Sequence, residues 1–152
     1  RGAVVCGLDP LELQEVYEMR SALETLALRK AIPEFSNRYL DEVSAILDQA
    51  ENSEISQFSD LNRAFHLKLY APCQRPRLLE QVSILNDIAD RYLRVAAAQL
   101  SYADRSNEEH RKILKACRRR EEDAAVDCLK RHIEDAGQAL YKELSGRSLL
   151  TK

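Results

Sequence analysis

The sequence predicts an all-α domain whose helices pack antiparallel in a bundle. Beyond Asp9-Pro10 the apolar residues recur at helical spacing almost throughout, and no stretch alternates long enough to form a buried strand. The breaks between the periodic segments are short, and short connections favour antiparallel neighbours.

Each element follows from local chemistry. Pro10 after Asp9 is a helix start, and the helix it opens runs to about Ala31, where Pro33 stops it. Ser36 caps a second helix to about Ala50, and the polar Glu51-Asn52-Ser53 breaks it before a third that ends near Tyr70. Pro72 and Pro76 bracket the next turn. A long fourth helix then carries Leu78, Leu79, Val82, Leu85, Ile88, Tyr92 and Val95 to about Leu100. The fifth is expected from Ser106 to Arg119 and the sixth from Glu121 to Leu144, with Gly146 as its exit. The run Arg118-Arg119-Arg120 followed by Glu121-Glu122-Asp123 is what a helix closing on cations and a helix opening on anions produce.

Composition narrows the function. A chain of 152 residues, 45% hydrophobic and 32% charged, is sized for one globular domain. The 23 basic residues are outnumbered by 25 acidic ones, so no excess positive field is available to grip a phosphate backbone. Cys6, Cys73, Cys117 and Cys128 form no paired motif, which fits a reducing cytoplasm, and Cys117 and Cys128 read as small core residues beside Ile113 and Leu129. No run is apolar and long enough for a membrane span, and neither membrane insertion nor secretion is expected. Arg1-Gly2-Ala3-Val4-Val5 reads as an extended piece continuing from something upstream, so residues 1–9 are expected to be a linker end, 10–146 the helical domain and 147–152 a tail.

The chain has 3 histidines, and each falls on the apolar stripe of its own predicted helix. His66 follows Phe58, Leu61 and Phe65; His110 precedes Ile113, Leu114 and Cys117; His132 lies between Cys128 and Ala136. All are expected to point inward. Imidazoles converging from separate helices can hold a divalent transition metal, zinc or nickel foremost, and leave positions open for a small anion. Asn62, one turn before His66, offers a carbonyl oxygen as a fourth ligand, whereas Asp60 is rotated away. The alternative is three core histidines satisfied by ordinary hydrogen bonds.

Arg20 shares a stripe with Leu13, Val16, Leu23 and Ala27, and a core-facing arginine requires an anion. A ligand carboxylate or Glu24, one turn on, would serve equally. Arg91, on the stripe of Ile84, Ile88 and Val95, poses the same question, with an interhelical ion pair or a snorkelling side chain as the alternative. No nucleophile elbow, phosphate-binding glycine loop or H-E-x-x-H helix occurs.

These residues meet a known pattern. Val16-Tyr17-Glu18-Met19-Arg20-Ser21-Ala22-Leu23-Glu24 resembles the first helix of the FadR C-terminal (FCD) domain of GntR-class transcription regulators. Leu61-Asn62-Arg63-Ala64-Phe65-His66 resembles that family's first histidine motif, Glu109-His110-Arg111-Lys112-Ile113-Leu114 its second, and the stretch from Asp123 to His132-Ile133 its final helix. The resemblance spans about residues 8–145 and implies six or seven helices enclosing a cavity, in which an aspartate and three histidines hold a divalent metal and a first-helix arginine helps hold a small organic acid. On this chain those positions are Asn62, His66, His110, His132 and Arg20. Asn62 departs from the usual aspartate, and a neutral amide is a poorer ligand than a carboxylate. Residues 1–5 resemble the end of the preceding winged helix-turn-helix, so DNA binding is implied for a parent protein acting as a homodimer.

The resemblance thus implies a sensor of a small carboxylate that controls DNA binding. A metal-dependent enzyme is the competing class, with Glu109 as the nearest base, though adjacent helical residues diverge by about 100° and it is expected to face away from the metal. A structural dimerisation module, its histidines mere core, is the third.

Overall fold

The Asp9 side chain accepts the Leu11 N–H at 2.9 Å, and with Pro10 in the first turn it launches α1, Pro10–Ala31. The computed structural model describes residues 7–96 and 102–150. α2 is Asn37–Glu51, α3 Phe58–Tyr70, α4 Pro76–Ala96, α5 Tyr102–Arg118 and α6 Glu122–Leu150, with short 3-10 turns at Ile32–Glu34, Ile55–Gln57 and Ala71–Cys73. Ser36 caps α2 as its sequence position requires, accepting the Tyr39 N–H at 3.0 Å. The expected extended segment at residues 1–5, Cys6 and the stretch 97–100 assigned to the fourth helix lie outside the described residues.

The α5–α6 junction is a chain reversal built on Arg120 in the left-handed region, φ 58°. The Glu121 N–H reaches the Ala116 carbonyl at 3.1 Å and the Arg120 N–H reaches Cys117 at 3.1 Å, so the last carbonyls of α5 are satisfied by the turn itself. Acidic Glu122 and Asp123 then open α6, and Arg29 at the end of α1 binds both, at 2.6 and 2.9 Å. The basic-to-acidic run is therefore a helix junction.

Most of the packed helix pairs run antiparallel. Ser21 meets Glu134 while Arg29 meets Glu122, which sets α1 against α6; Asp9 meets Tyr92 while Arg20 meets Asn86, which sets α1 against α4. Arg118–Asp41 and Arg111–Asp48 ladder α5 along α2. The core between them includes Leu13, Leu28, Leu40, Leu47, Phe65, Leu69, Ile113, Leu129, Ile133 and Leu140, all nearly inaccessible to water. Cys73 and Cys117 are buried in it; Cys128 is only half-buried.

Two expected boundaries shift. α5 begins at Tyr102 rather than Ser106: Tyr102 packs edge-on to Phe58, and the first inward positions after it are the polar Ser106 and Asn107, which an apolar pattern does not register. α6 runs through Gly146, since glycine in a helix costs about 1 kcal/mol without ending it and no described glycine adopts a positive φ.

Candidate metal centre

α3, α5 and α6 each contribute one imidazole to a single point in the core. His66, His110 and His132 are 0%, 1% and 4% exposed, so none is solvated. His110 Nε2 lies 3.2 Å from His66 Nε2 and 3.1 Å from His132 Nε2, and one nitrogen from each ring lies within 4.8 Å of the others. Phe65, next to His66, stacks on the His110 ring at 4.3 Å between centroids and closes one side. Ser106 Oγ stands 3.5 Å from His110 Nε2.

The outward nitrogens meet different neighbours. His132 Nδ1 is 2.6 Å from Glu109 Oε2, and Arg105 holds the other Glu109 oxygen at 2.9 Å. His66 Nδ1 is 3.0 Å from the Tyr70 hydroxyl, which donates to Glu24 Oε2 at 2.6 Å. Glu24 Oε1 accepts from Arg20 Nε at 2.6 Å and from Asn86 Nδ2 at 2.9 Å, and Arg20 Nη2 donates to Asn86 Oδ1 at 3.3 Å. His110 Nδ1 is buried with no hydrogen-bond partner.

Burial, followed by the neighbouring rings and Arg20, holds His66 well below the usual histidine range; burial, His132 and Arg20 do the same to His110. Both are neutral at physiological pH. Burial pushes Glu109 up, but the bonds from His132 and Arg105 outweigh it and hold the carboxyl below its ordinary value. Burial opposes the charge of Arg20, and Glu24 beside it more than restores it.

Three imidazoles placed this way suit a cation better than each other. A neutral ring carries one N–H, so His110 cannot make a full hydrogen bond to both neighbours at once. Zinc–nitrogen bonds of 2.0–2.1 Å at tetrahedral angles put ligand nitrogens about 3.3 Å apart, close to the two separations measured from His110. Glu109 behind His132 is the outer carboxylate that histidine ligands usually carry. Asn62 Oδ1, one turn before His66, is buried without a partner, as an oxygen awaiting a ligand would be.

Of the other expected site residues, Arg20 and Glu24 are deep in the core, bonded to each other and shared with Asn86 and Tyr70. Arg91 is not brought to the cluster: its side chain is 56% exposed and faces Glu12 at 3.9 Å. The inner face of α4 is Val82, Leu85, Ala89, Tyr92 and Leu93; Ile84 and Val95, which seemed to define a stripe with Arg91, are themselves exposed. Asp60 pairs with Arg94 on the surface. Sequence reasoning missed Tyr70 and Asn86, whose only signals are the i+4 spacing from His66 and a lone amide among the apolar positions of α4. A cavity of about 180 Å³ between α5 and α6 reaches His132 and Glu109 from outside, lined also by Lys112, Cys128, Arg131 and Asp135. A larger groove of about 750 Å³ between α1 and α6 is lined by none of the three histidines.

The family model of the FCD domain matches residues 15–135, which takes in every residue of this centre. The chain belongs to the FCD domain family. The FCD fold also matches a solved transcriptional regulator, a GntR family member from Pseudomonas syringae pv. tomato str. DC3000, at 26% identity and TM-score 0.84, over 95% of this chain and 62% of that one. E. coli McbR/YncC matches at 21% identity and TM-score 0.77, over 86% of this chain and 65% of that one. The FCD chain thus spans less than two thirds of either structure. No curated protein matches the sequence. No described helix of this FCD domain is long and apolar enough to cross a membrane.

Proposed function

We propose that this FCD domain senses a small organic acid held together with a divalent transition metal at His66, His110 and His132, with Asn62 as a fourth ligand, and that occupancy controls DNA binding by a winged helix-turn-helix domain of a dimeric cytoplasmic regulator. The observation that carries the reading is that His110 Nε2 lies 3.2 Å from His66 Nε2 and 3.1 Å from His132 Nε2, with all three rings buried. A divalent ion there supplies a Lewis-acidic position for an anionic oxygen.

Charge balance supports the anion. His66 and His110 are held neutral, Arg20 and Glu24 cancel, and Glu109 is offset by Arg105. Two added positive charges are therefore uncompensated by the protein, and a carboxylate is the natural complement. The likeness to a GntR-family regulator favours sensing over turnover, and Glu109, bonded to His132 and Arg105, has no oxygen free of a cationic or imidazole partner.

A ligand selective for the folded domain must raise its melting temperature. Zinc or nickel alone is expected to do so, and one class among sugar acids, hydroxy acids, dicarboxylates and aromatic acids is expected to add a further rise only when metal is present. A full panel that leaves the melting curve unmoved, with and without metal, overturns the reading.

A further inference from the structure

The contacts behind His66 fix the direction of every hydrogen bond in the chain that leads to it. Arg20 can only donate, and a main-chain carbonyl can only accept. Asn86 Nδ2 lies 2.9 Å from the Val82 carbonyl and Asn86 Oδ1 faces Arg20 Nη2, so this amide has one permissible orientation. Its Nδ2 therefore donates to Glu24 Oε1, which Arg20 Nε also serves. That leaves Glu24 Oε2 for the Tyr70 hydroxyl, whose single proton is spent on it. The Tyr70 oxygen can then only accept from His66 Nδ1, and the same nitrogen lies 3.5 Å from Glu24 Oε2, a second acceptor.

We infer that Tyr70 and Glu24 are positioning residues that hold His66 in the Nδ1–H tautomer, so that its Nε2 lone pair faces the centre of the triad whether or not an ion is there. Glu109 does the same for His132 from the opposite side. His110, with no partner at Nδ1, is the one ring of the three free to change. Without an ion its proton sits on Nε2, between two bare nitrogens; with an ion it moves to Nδ1. The hierarchy gives Arg20 a role as the clamp on Glu24.

The positioning role rests on the metal-centre reading, but the tautomers can be read without metal. Histidine ring nitrogens in two-bond proton–nitrogen spectra of the metal-free chain should give the Nδ1–H pattern for His66 and His132 and the Nε2–H pattern for His110. In Glu24→Gln the amide carbonyl remains with its two donors, Arg20 and Asn86, which turns the NH2 toward Tyr70 and sends the tyrosine proton to His66; the ring should switch to Nε2–H. Tyr70→Phe, nearly isosteric, removes the acceptor and should release the same preference. Both variants should bind zinc about ten- to a hundredfold more weakly than the parent. A wild-type His66 protonated on Nε2, or an unchanged His66 pattern in both variants, overturns the tautomer assignment. Zinc binding that neither variant weakens overturns the positioning role. A wild-type chain that takes up no zinc sinks the metal centre itself, while the spectra still decide the tautomers.

Discussion

At the scale of single residues, the three histidines were legible because each interrupts an apolar stripe, a position from which a side chain has nowhere to go but inward. What surrounds them was less so. Glu109 was expected to face away from the metal because it neighbours His110 on one helix, and from His110 it does; the missing step was that His132 arrives from α6 and turns its outer nitrogen to that same carboxylate. Arg91 takes the second of its two sequence readings, an interhelical pair with Glu12, because Ile84 and Val95 keep helical spacing on the exposed side of α4 and spacing alone does not say which side is wet. Asn62 is the residue on which a substitution speaks most clearly. If its unpartnered oxygen ligates, Asn62→Asp places a charged oxygen at the same point and should tighten zinc binding in a competition titration. Affinity that stays level or falls would remove position 62 from the ligand set.

At the scale of elements, the starts of α1 and α2 and the α5–α6 junction came directly from Pro10, Ser36 and the Arg-to-Glu run, since caps and helix dipoles are local and readable. The start of α5 and the far end of α6 were not, because the first depends on tertiary contacts of Tyr102 and the second on a glycine that stays helical. A tight approach between α1 and α6 also rests on a glycine. A Cβ built on Gly137 of α6 would stand 2.8 Å from Tyr17 Cβ, Cγ and Cδ1 on α1. Tyr17 Cβ is the root of its side chain and cannot swing aside, so relief requires α1 and α6 to part. Gly137→Ala gains helix propensity but should still lose about 1 to 3 kcal/mol to overpacking. Urea denaturation should show a lower midpoint with little change in slope; a midpoint equal to or above the parent's would mean the two helices yield freely.

At the scale of the whole molecule, the all-α antiparallel bundle was in the sequence, because period and breaks are enough to define helices and short connections leave few ways to pack them. That three helices distant in sequence would bring the His66 and His132 rings to within 3.1 to 3.2 Å of His110 could be guessed from burial but not measured from it. Family membership strengthens the reading of the domain as regulatory, and the chemistry of the centre gives that reading its content: imidazole nitrogens, outer carboxylates, and a deficit of negative charge once a cation is present. Zinc titration followed by X-ray absorption on the loaded chain tests this most directly. One ion per chain, with three imidazole nitrogens at about 2.0 to 2.1 Å and uptake abolished by His110→Ala, is the predicted result. Substoichiometric uptake, or uptake that survives the loss of His110, would contradict it.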